Sequence, residues 1–304
     1  MEAGLRAERR APSVPAPLTR TTVRASNDLG VTTGRRVDPR SRRSSHVDVP
    51  VLRWRLIRDE PRTGARNMAI DHALAECLEP HEGVLRLYRW SRPTLSLGRN
   101  EPAAIYPLVP LVAMQGVVDL VRRPTGGRAV LHDAELTYAI AAPLRGWGAR
   151  AAYRAINEAL AAALRSLGAP VGLADDRLPA LPPDAGPCFA SPAAGEVVAW
   201  GAKLVGSAQA RIGGALLQHG SILLSGTQRL LAGADRPEAT SGGITLTELL
   251  PHVSIDEVAA AVAESLRMRL GGEWGEDSLR PAEDEAALRL EADRYGRDTW
   301  TWRR

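Results

Sequence analysis

Residues 203–224 read KLVGSAQARIGGALLQHGSILL, and this stretch decides the fold class. Two apolar runs flank Gly213-Gly214, a pair whose backbone freedom suits a hairpin turn. With that turn fixed, Lys203, Val205, Ser207 and Gln209 stand opposite Leu224, Ile222, Gly220 and Gln218. Side chains alternate across a strand, so Lys203 shares a face with small residues and His219 points to the other face. A bulge near Gly206 or Gly220 would shift that register.

Outward from the hairpin, strands and helices mix without regular βα alternation. Residues 149–167 read as an amphipathic helix with Tyr153, Ile156, Leu160, Leu164 and Leu167 on one side, ended by Gly168 and Pro170. Residues 67–79 read as another, with Ile70, Leu74, Cys77 and Leu78 on its apolar face. Ser254 and Glu257 form a capping box ahead of Val258, Val262, Leu266 and Leu270, and a last helix is expected near 282–293. Leu52, Trp54 and Leu56 alternate with Arg53 and Arg55 as a half-buried strand. Further strands are expected at 84–90, 94–97, 117–122 and 129–140, with loops at 174–187 and 227–253. The pattern predicts an α+β fold, a mixed or antiparallel sheet packed by helices.

Composition narrows the function classes. The 304 residues are 44% hydrophobic and 24% charged, enough for a substantial core. Residues 1–50 carry ten Arg against five acids and almost no large apolar residues, so they are expected to be a disordered basic extension. Residues 51–304 are expected to form a single domain ending in helices. That part carries 29 basic and 30 acidic residues, so the positive net charge of +4 belongs to the extension. A nucleic-acid partner is therefore not expected. No run approaches the ~18 apolar residues of a membrane span, and no secretory signal is visible, so a cytoplasmic protein without a membrane partner is expected. Two cysteines exclude a disulfide framework, and the six histidines show no metal-ligand spacing. Neither GxGxxG nor GxxxxGK[ST] occurs. No metal and no cofactor are expected.

Three segments carry candidate chemistry. In RRPTGGRAVLHD (122–133), Gly126 and Gly127 allow close backbone approach, and Arg123 and Arg128 offer donors for a carbonyl or an anion. An ordinary hairpin turn with surface arginines is the alternative, and His132 reads either as a base or as a core histidine bonded to a neighbouring carbonyl. Cys188, beside the single Phe, Phe189, ends an irregular loop and lies on no helical face. A thiol there is a nucleophile if a cation lowers its pKa, or else an inert buried group. Cys77, on an apolar helix face, reads as core. In the hairpin, Gly206, Ser207, Ala208 and Gly220 leave room for a long narrow ligand or for a closely packed helix. Of the 39 basic residues, 38 are Arg and one is Lys203. A compact ammonium surviving among arginines suggests a place where a planar fork does not serve. A Ser-His-Asp hydrolase is disfavoured, since no GxSxG elbow is present.

Together, in this order, these segments resemble the lipoate–protein ligase and octanoyltransferase family. NMAIDHAL (67–74), LRLYRW (85–90), TLSLGRNE (94–101), AKLVGSAQ (202–209) and LLQHGSILL (216–224) are similar to the family's pattern, with a weaker echo in RYGRDTWTWRR (294–304). Cys188-Phe189, Glu196, Lys203 and Gly206-Ser207-Ala208-Gln209 resemble the cysteine-dependent octanoyltransferase branch, although ASPAAGEVV (190–198) stands where that branch usually carries aromatic residues. The resemblance implies the α+β catalytic domain shared with biotin ligases. It also implies octanoyl transfer from acyl carrier protein, through a thioester on Cys188 aided by Lys203, to a lysine of a lipoyl domain or a glycine-cleavage H-type protein. Substrate binding is then expected at Arg123, Thr125, Gly126, Gly127, Arg128, His132, Gly206, Ser207, Ala208, His219 and Gly220. An ATP-dependent lipoate ligase, an amidotransferase between lipoyl proteins and a non-catalytic acyl-binding module are the alternatives. Arg86, Arg89, Arg92 and Arg99 are the expected docking residues for the acidic carrier.

Overall fold

The computed structural model describes residues 52–105, 118–144, 148–179, 181–228 and 242–304. The expectation of a disordered extension at 1–50 lies outside the described residues, and Val49–Arg304 cluster as one unit.

Eleven strands and six α-helices follow in the described residues. They are β1 (Arg53–Arg58), α1 (Gly64–Glu76), β2 (Glu82–Tyr88), β3 (Thr94–Leu97), β4 (Asp119–Arg122), β5 (Val130–His132) and β6 (Glu135–Pro143). Next come α2 (Ala149–Ser166), β7 (Val171–Leu173), β8 (Val197–Ala199), β9 (Ala202–Ile212) and β10 (Ala215–Leu223). The chain continues with α3 (Leu246–Leu249), α4 (Ile255–Leu270), β11 (Glu273–Asp277), α5 (Pro281–Leu290), a π-helical turn (Glu291–Tyr295) and α6 (Asp298–Thr301).

Eight strands form one sheet in the order β11-β1-β2-β6-β10-β9-β8-β7, and β4-β3-β5 form a second. The β11-β1-β2 ladder is parallel and the rest of the large sheet is antiparallel, so the sheet is mixed, as expected for an α+β fold. The hairpin has the predicted register: Gln209 faces Gln218, Ser207 faces Gly220 and Val205 faces Ile222. Past that point Lys203 pairs with Val198 of β8 beside a bulge at Val197/Val198.

Alternation along β6 separates two cores. Tyr138 and Ile140 pack with Leu160 and Leu164 of α2 and Val262 and Leu266 of α4. Ala139 and Ala141 face Ile70 and Leu74 of α1 and Ala287 of α5. Burying each leucine contributes ~1.5–3 kcal/mol, and this two-sided burial holds the central strands. The capping box at Ser254 and Glu257 is formed as read, and the α4 cap is closed by both reciprocal bonds.

Three readings need correction, and three strands carry no sequence signal. Residues 129–140 are two strands, β5 and β6, because the chain turns at Asp133-Ala134 and the Ala134 carbonyl accepts from Leu224 and Ser225. β1 is not half-buried: it lies between two neighbours, and Arg55 is enclosed with Glu283 at 2.5 Å and Asp277 at 2.5 Å. β7, β8 and β11 are too short or too polar to stand out, and pairing creates them. Arg86 is no docking residue. It is fully buried, donating to Asp59 at 2.7 Å, Asp71 at 2.8 Å and the Asn67 side chain at 2.7 Å. Arg89, Arg92 and Arg99 are exposed, and Arg92 approaches Asp119 at 3.5 Å. Arg86→Met should leave Asp71 buried without its guanidinium and Asp59 with Arg62 alone, and lower stability by about 3–5 kcal/mol, readable as a shift of the denaturant midpoint.

Candidate active site

Cys188 opens a single 3-10 turn, Cys188–Ala190, capped by extended Pro187. Its amide donates to the Ala129 carbonyl at 2.9 Å, which ties the cysteine loop to the glycine loop. Lys203 reaches it from β9. Its Nζ lies 3.0 Å from Cys188 Sγ, 3.2 Å from the Cys188 carbonyl and 2.7 Å from Glu196 Oε1. Three donors therefore meet three acceptors at one buried point. Glu196 is itself oriented by accepting the Ala193 amide at 2.7 Å. Burial alone would push the Lys203 pKa down, but the charges of Cys188 and Glu196 outweigh it and hold the group as an ammonium, raised above its ordinary value. Cys188 is half-buried and unpaired with Cys77.

A cavity of about 260 Å³ extends from this point, near the lower end of the size of small-molecule sites. Cys188, Lys203 and Glu196 line it together with Gly206, Ser207 and Ala208 of β9. His219, Gly220 and Ser221 of β10 and Arg123, Gly127, Arg128 and His132 add to the wall. Met68, Tyr88, Trp90 and Val130 supply apolar surface. Gly127 has φ +87, and a Cβ there would stand 2.9 Å from Arg123 Nη2, so only glycine serves.

The arginines do other work than expected. Arg123 donates to Ser96 O at 3.0 Å, Gly126 O at 3.0 Å and Arg128 O at 2.8 Å. Arg128 donates to the carbonyls of Ala185, Gly186, Cys188 and Ser191. Both edge the cavity, yet these donors brace the two loops instead of reaching into the space. Thr125 and Gly126 are not in the wall: Thr125 Oγ1 turns to His219 Nε2 at 2.6 Å, and Gly126 offers its carbonyl to Arg123. His132 does not bond a backbone carbonyl. It lies between Ser96 at 2.7 Å and the Glu135 carboxylate at 2.8 Å, stacked on Trp90 with centroids 3.9 Å apart. His219 faces α1, as the alternation predicts, with Asp71 Oδ2 2.9 Å from Nδ1. Burial holds its pKa below the ordinary value despite that carboxylate, so it is a neutral positioning group. The small hairpin residues serve close packing as well as space: a Cβ on Gly220 would stand 2.3 Å from Gly206 O and 2.8 Å from Tyr138. The Ser207 hydroxyl is engaged by Tyr138 at 2.7 Å and Asn157 at 2.9 Å.

Glu196 stands in the quoted motif with no role assigned, Met68, Tyr88, Trp90 and Ser96 lie in matched segments without being singled out, and Glu135 carries no local signal. Met68, Tyr88 and Trp90 meet the cavity because α1 packs on β10 and β2 pairs with β6 beside it, while Ser96 and Glu135 hold His132 from behind. Cys77 sits at the C-terminal cap of α1, and burial and nearby acids push its thiol up. Among the described residues no group of three or more His, Cys, Asp and Glu could hold a metal ion. No helix among them is long and apolar enough to cross a membrane.

Residues 63–267 match the model of the lipoyl protein ligase A/B catalytic domain. The chain is 45% identical over 186 residues to octanoyltransferase LipM of Moorella thermoacetica, covering 58% of this chain and 67% of that one. It is 37% identical over 273 residues to octanoyltransferase LipM of Kyrpidia tusciae, covering 83% and 99%. Among solved structures, a bipartite lipoate protein ligase studied with its E2 lipoyl domain, from Thermoplasma acidophilum, is similar with a TM-score of 0.69 at 25% identity, covering 83% of this chain and 96% of that one.

Proposed function

The chain belongs to the lipoyl protein ligase A/B catalytic-domain family, and from that premise we propose that it is an octanoyltransferase working through a thioester on Cys188. The observation that carries the reading is the 3.0 Å approach of the Lys203 ammonium to Cys188 Sγ at the wall of the cavity. An ammonium at that distance is placed to steady the negative charge of the attacking sulfur. The thiolate attacks the carbonyl carbon of octanoyl-acyl carrier protein, the C–S bond to the carrier breaks, and the carrier leaves as its thiolate. As Sγ becomes a neutral thioester sulfur, the Lys203 N–H aimed at it is free to donate a hydrogen bond to the carbonyl oxygen, where charge develops, and the proton stays on Nζ. The amine of a lipoyl-domain lysine then attacks the same carbon, an amide forms and the Cys188 thiolate returns. The amine's surplus proton passes to solvent. The acyl group stays activated throughout, so ATP is not consumed. The relatives' names support octanoyl as the acyl group, and the apolar wall of Met68, Tyr88, Trp90 and Val130 suits its chain.

The test is intact mass after mixing the protein with octanoyl-acyl carrier protein and no ATP. A mass gain of one octanoyl group, lost on adding a lipoyl domain that gains it, is the expected result. Modification of the lipoyl domain only from free octanoate plus ATP would instead identify a ligase. Transfer only from an already octanoylated lipoyl protein would identify an amidotransferase.

A further inference from the structure

The segment RYGRDTWTWRR (294–304) carries only a weak resemblance, and none of its residues lines the cavity. It folds back onto the turn after β3. The Trp300 indole donates to the Arg122 carbonyl at 2.8 Å, and Arg122 Nε donates to the Thr301 carbonyl at 2.8 Å. Arg303 donates to the Arg99 carbonyl at 2.5 Å, and the Ala103 amide donates to the α-carboxylate oxygen of Arg304 at 3.0 Å. Arg294 and Arg303 both lie over the Trp300 ring, 4.9 and 3.9 Å from its centroid. Tertiary structure thus brings Arg294, Arg303 and Arg304 to Arg99, about two hundred positions away in sequence.

Among the described residues none of these four arginines forms an ion pair. Three of the acids in and around the segment have other partners. Asp293 lies 3.7 Å from Arg297, Glu76 is 3.0 Å from His72, and Glu101 is buried on the amides of Gly98 and Ala129. The like charges are felt. Arg303 is held below its ordinary pKa, first by burial and then by Arg99, Arg304 and Arg294. Buried Arg122 is pushed down to about 10 by its burial and by Arg303. A cluster of unpaired like charges costs stability, and the fold nevertheless maintains it with stacking and backbone bonds.

Its position is informative. Gly98 and Gly127 touch so closely that a Cβ on Gly98 would stand 1.8 Å from Gly127 O, and the Arg99 amide donates to Thr125 O at 2.8 Å. The arginines therefore lie behind the loop whose other side lines the acyl cavity, beside the site and not on Cys188. An acceptor lysine has a short side chain and must bring its own protein to the cysteine. A thioester carried on a long flexible arm reaches Cys188 from a protein docked off to one side.

We propose that Arg99, Arg294, Arg303 and Arg304 form the docking surface for an acidic protein that delivers the acyl thioester. This rests on the octanoyl-transfer reading. It keeps Arg99 from the expected surface, adds the three arginines of the final segment and excludes Arg86, which is buried.

The test separates the half-reactions. Arg99→Glu/Arg304→Glu is made alongside Arg303→Gln, and melting curves check folding. Loading of Cys188 is followed by intact mass from octanoyl-acyl carrier protein and from a small octanoyl thioester. Transfer from preloaded protein to a lipoyl domain is followed separately. At low salt the double variant should lose about tenfold or more in kcat/KM for the carrier-bound donor. Small-thioester loading and transfer should change by less than about twofold, and added salt should bring wild type down toward the variant. Equal loss with both donors, loss confined to transfer, or unchanged carrier loading would each overturn the assignment. Failure of the wild type to load from either donor would overturn the octanoyl-transfer reading itself.

Discussion

Cys188→Ala should form no octanoyl adduct and should lose transfer by at least about 10⁴-fold, the scale set by removing a nucleophile from a covalent mechanism. The two cysteines have opposite surroundings. Cys188 sits in a 3-10 turn between Pro187 and Phe189, with Lys203 Nζ 3.0 Å from its sulfur. Cys77 caps α1, where burial and Glu283 push its thiol up and away from the thiolate. Cys77→Ala should therefore keep both adduct and turnover. Intact mass of the two variants after exposure to the donor checks this. An adduct surviving Cys188→Ala would falsify the thioester mechanism.

Lys203→Arg should lose about a hundredfold or more in transfer while the protein still folds. The charge survives this change, but its geometry does not. One nitrogen now serves Glu196 at 2.7 Å, Cys188 Sγ at 3.0 Å and the Cys188 carbonyl at 3.2 Å. A planar guanidinium spreads its donors over three nitrogens and cannot converge on one point. Space is also limited, with Lys203 Nζ 5.1 Å from the Phe189 ring centroid and the side chain 1% exposed. Lys203→Met is the harsher companion. It leaves Glu196 buried without its cation, and a loss of about 3–5 kcal/mol of stability should accompany the loss of activity. Turnover and melting measured on both variants separate the two effects. Near-normal turnover of Lys203→Arg would show that a positive charge alone is sufficient.

The fold class was legible because it rests on local periodicity. The hairpin register followed from one glycine pair and a two-residue repeat, and Gln209–Gln218, Ser207–Gly220 and Val205–Ile222 pair accordingly. The helices at 149–166 and 255–270 followed from apolar spacing and a capping box. Cys188 and Lys203 stood out by contrast, one as a thiol on no helical face and one as a single lysine among arginines. Both contrasts are properties of composition and order and need no coordinates.

The roles of the arginines were not legible, because an arginine reads the same in sequence whether it faces water, a carboxylate or a backbone carbonyl. Arg86 is buried between Asp59 and Asp71, Arg123 and Arg128 brace loops, and Arg99 meets Arg303 across most of the chain. Short strands such as β7 and β8 exist only through their partners, since three residues carry no period of their own. The sequence by itself determined the α+β class and the central hairpin, and singled out Cys188 and Lys203 as candidates. Tertiary structure alone decided that Glu196 fixes Lys203, that Trp90 and His132 share the cavity wall, and where the unpaired positive charge gathers. Each of those depends on which distant segments the sheet and its two cores bring within a few ångströms.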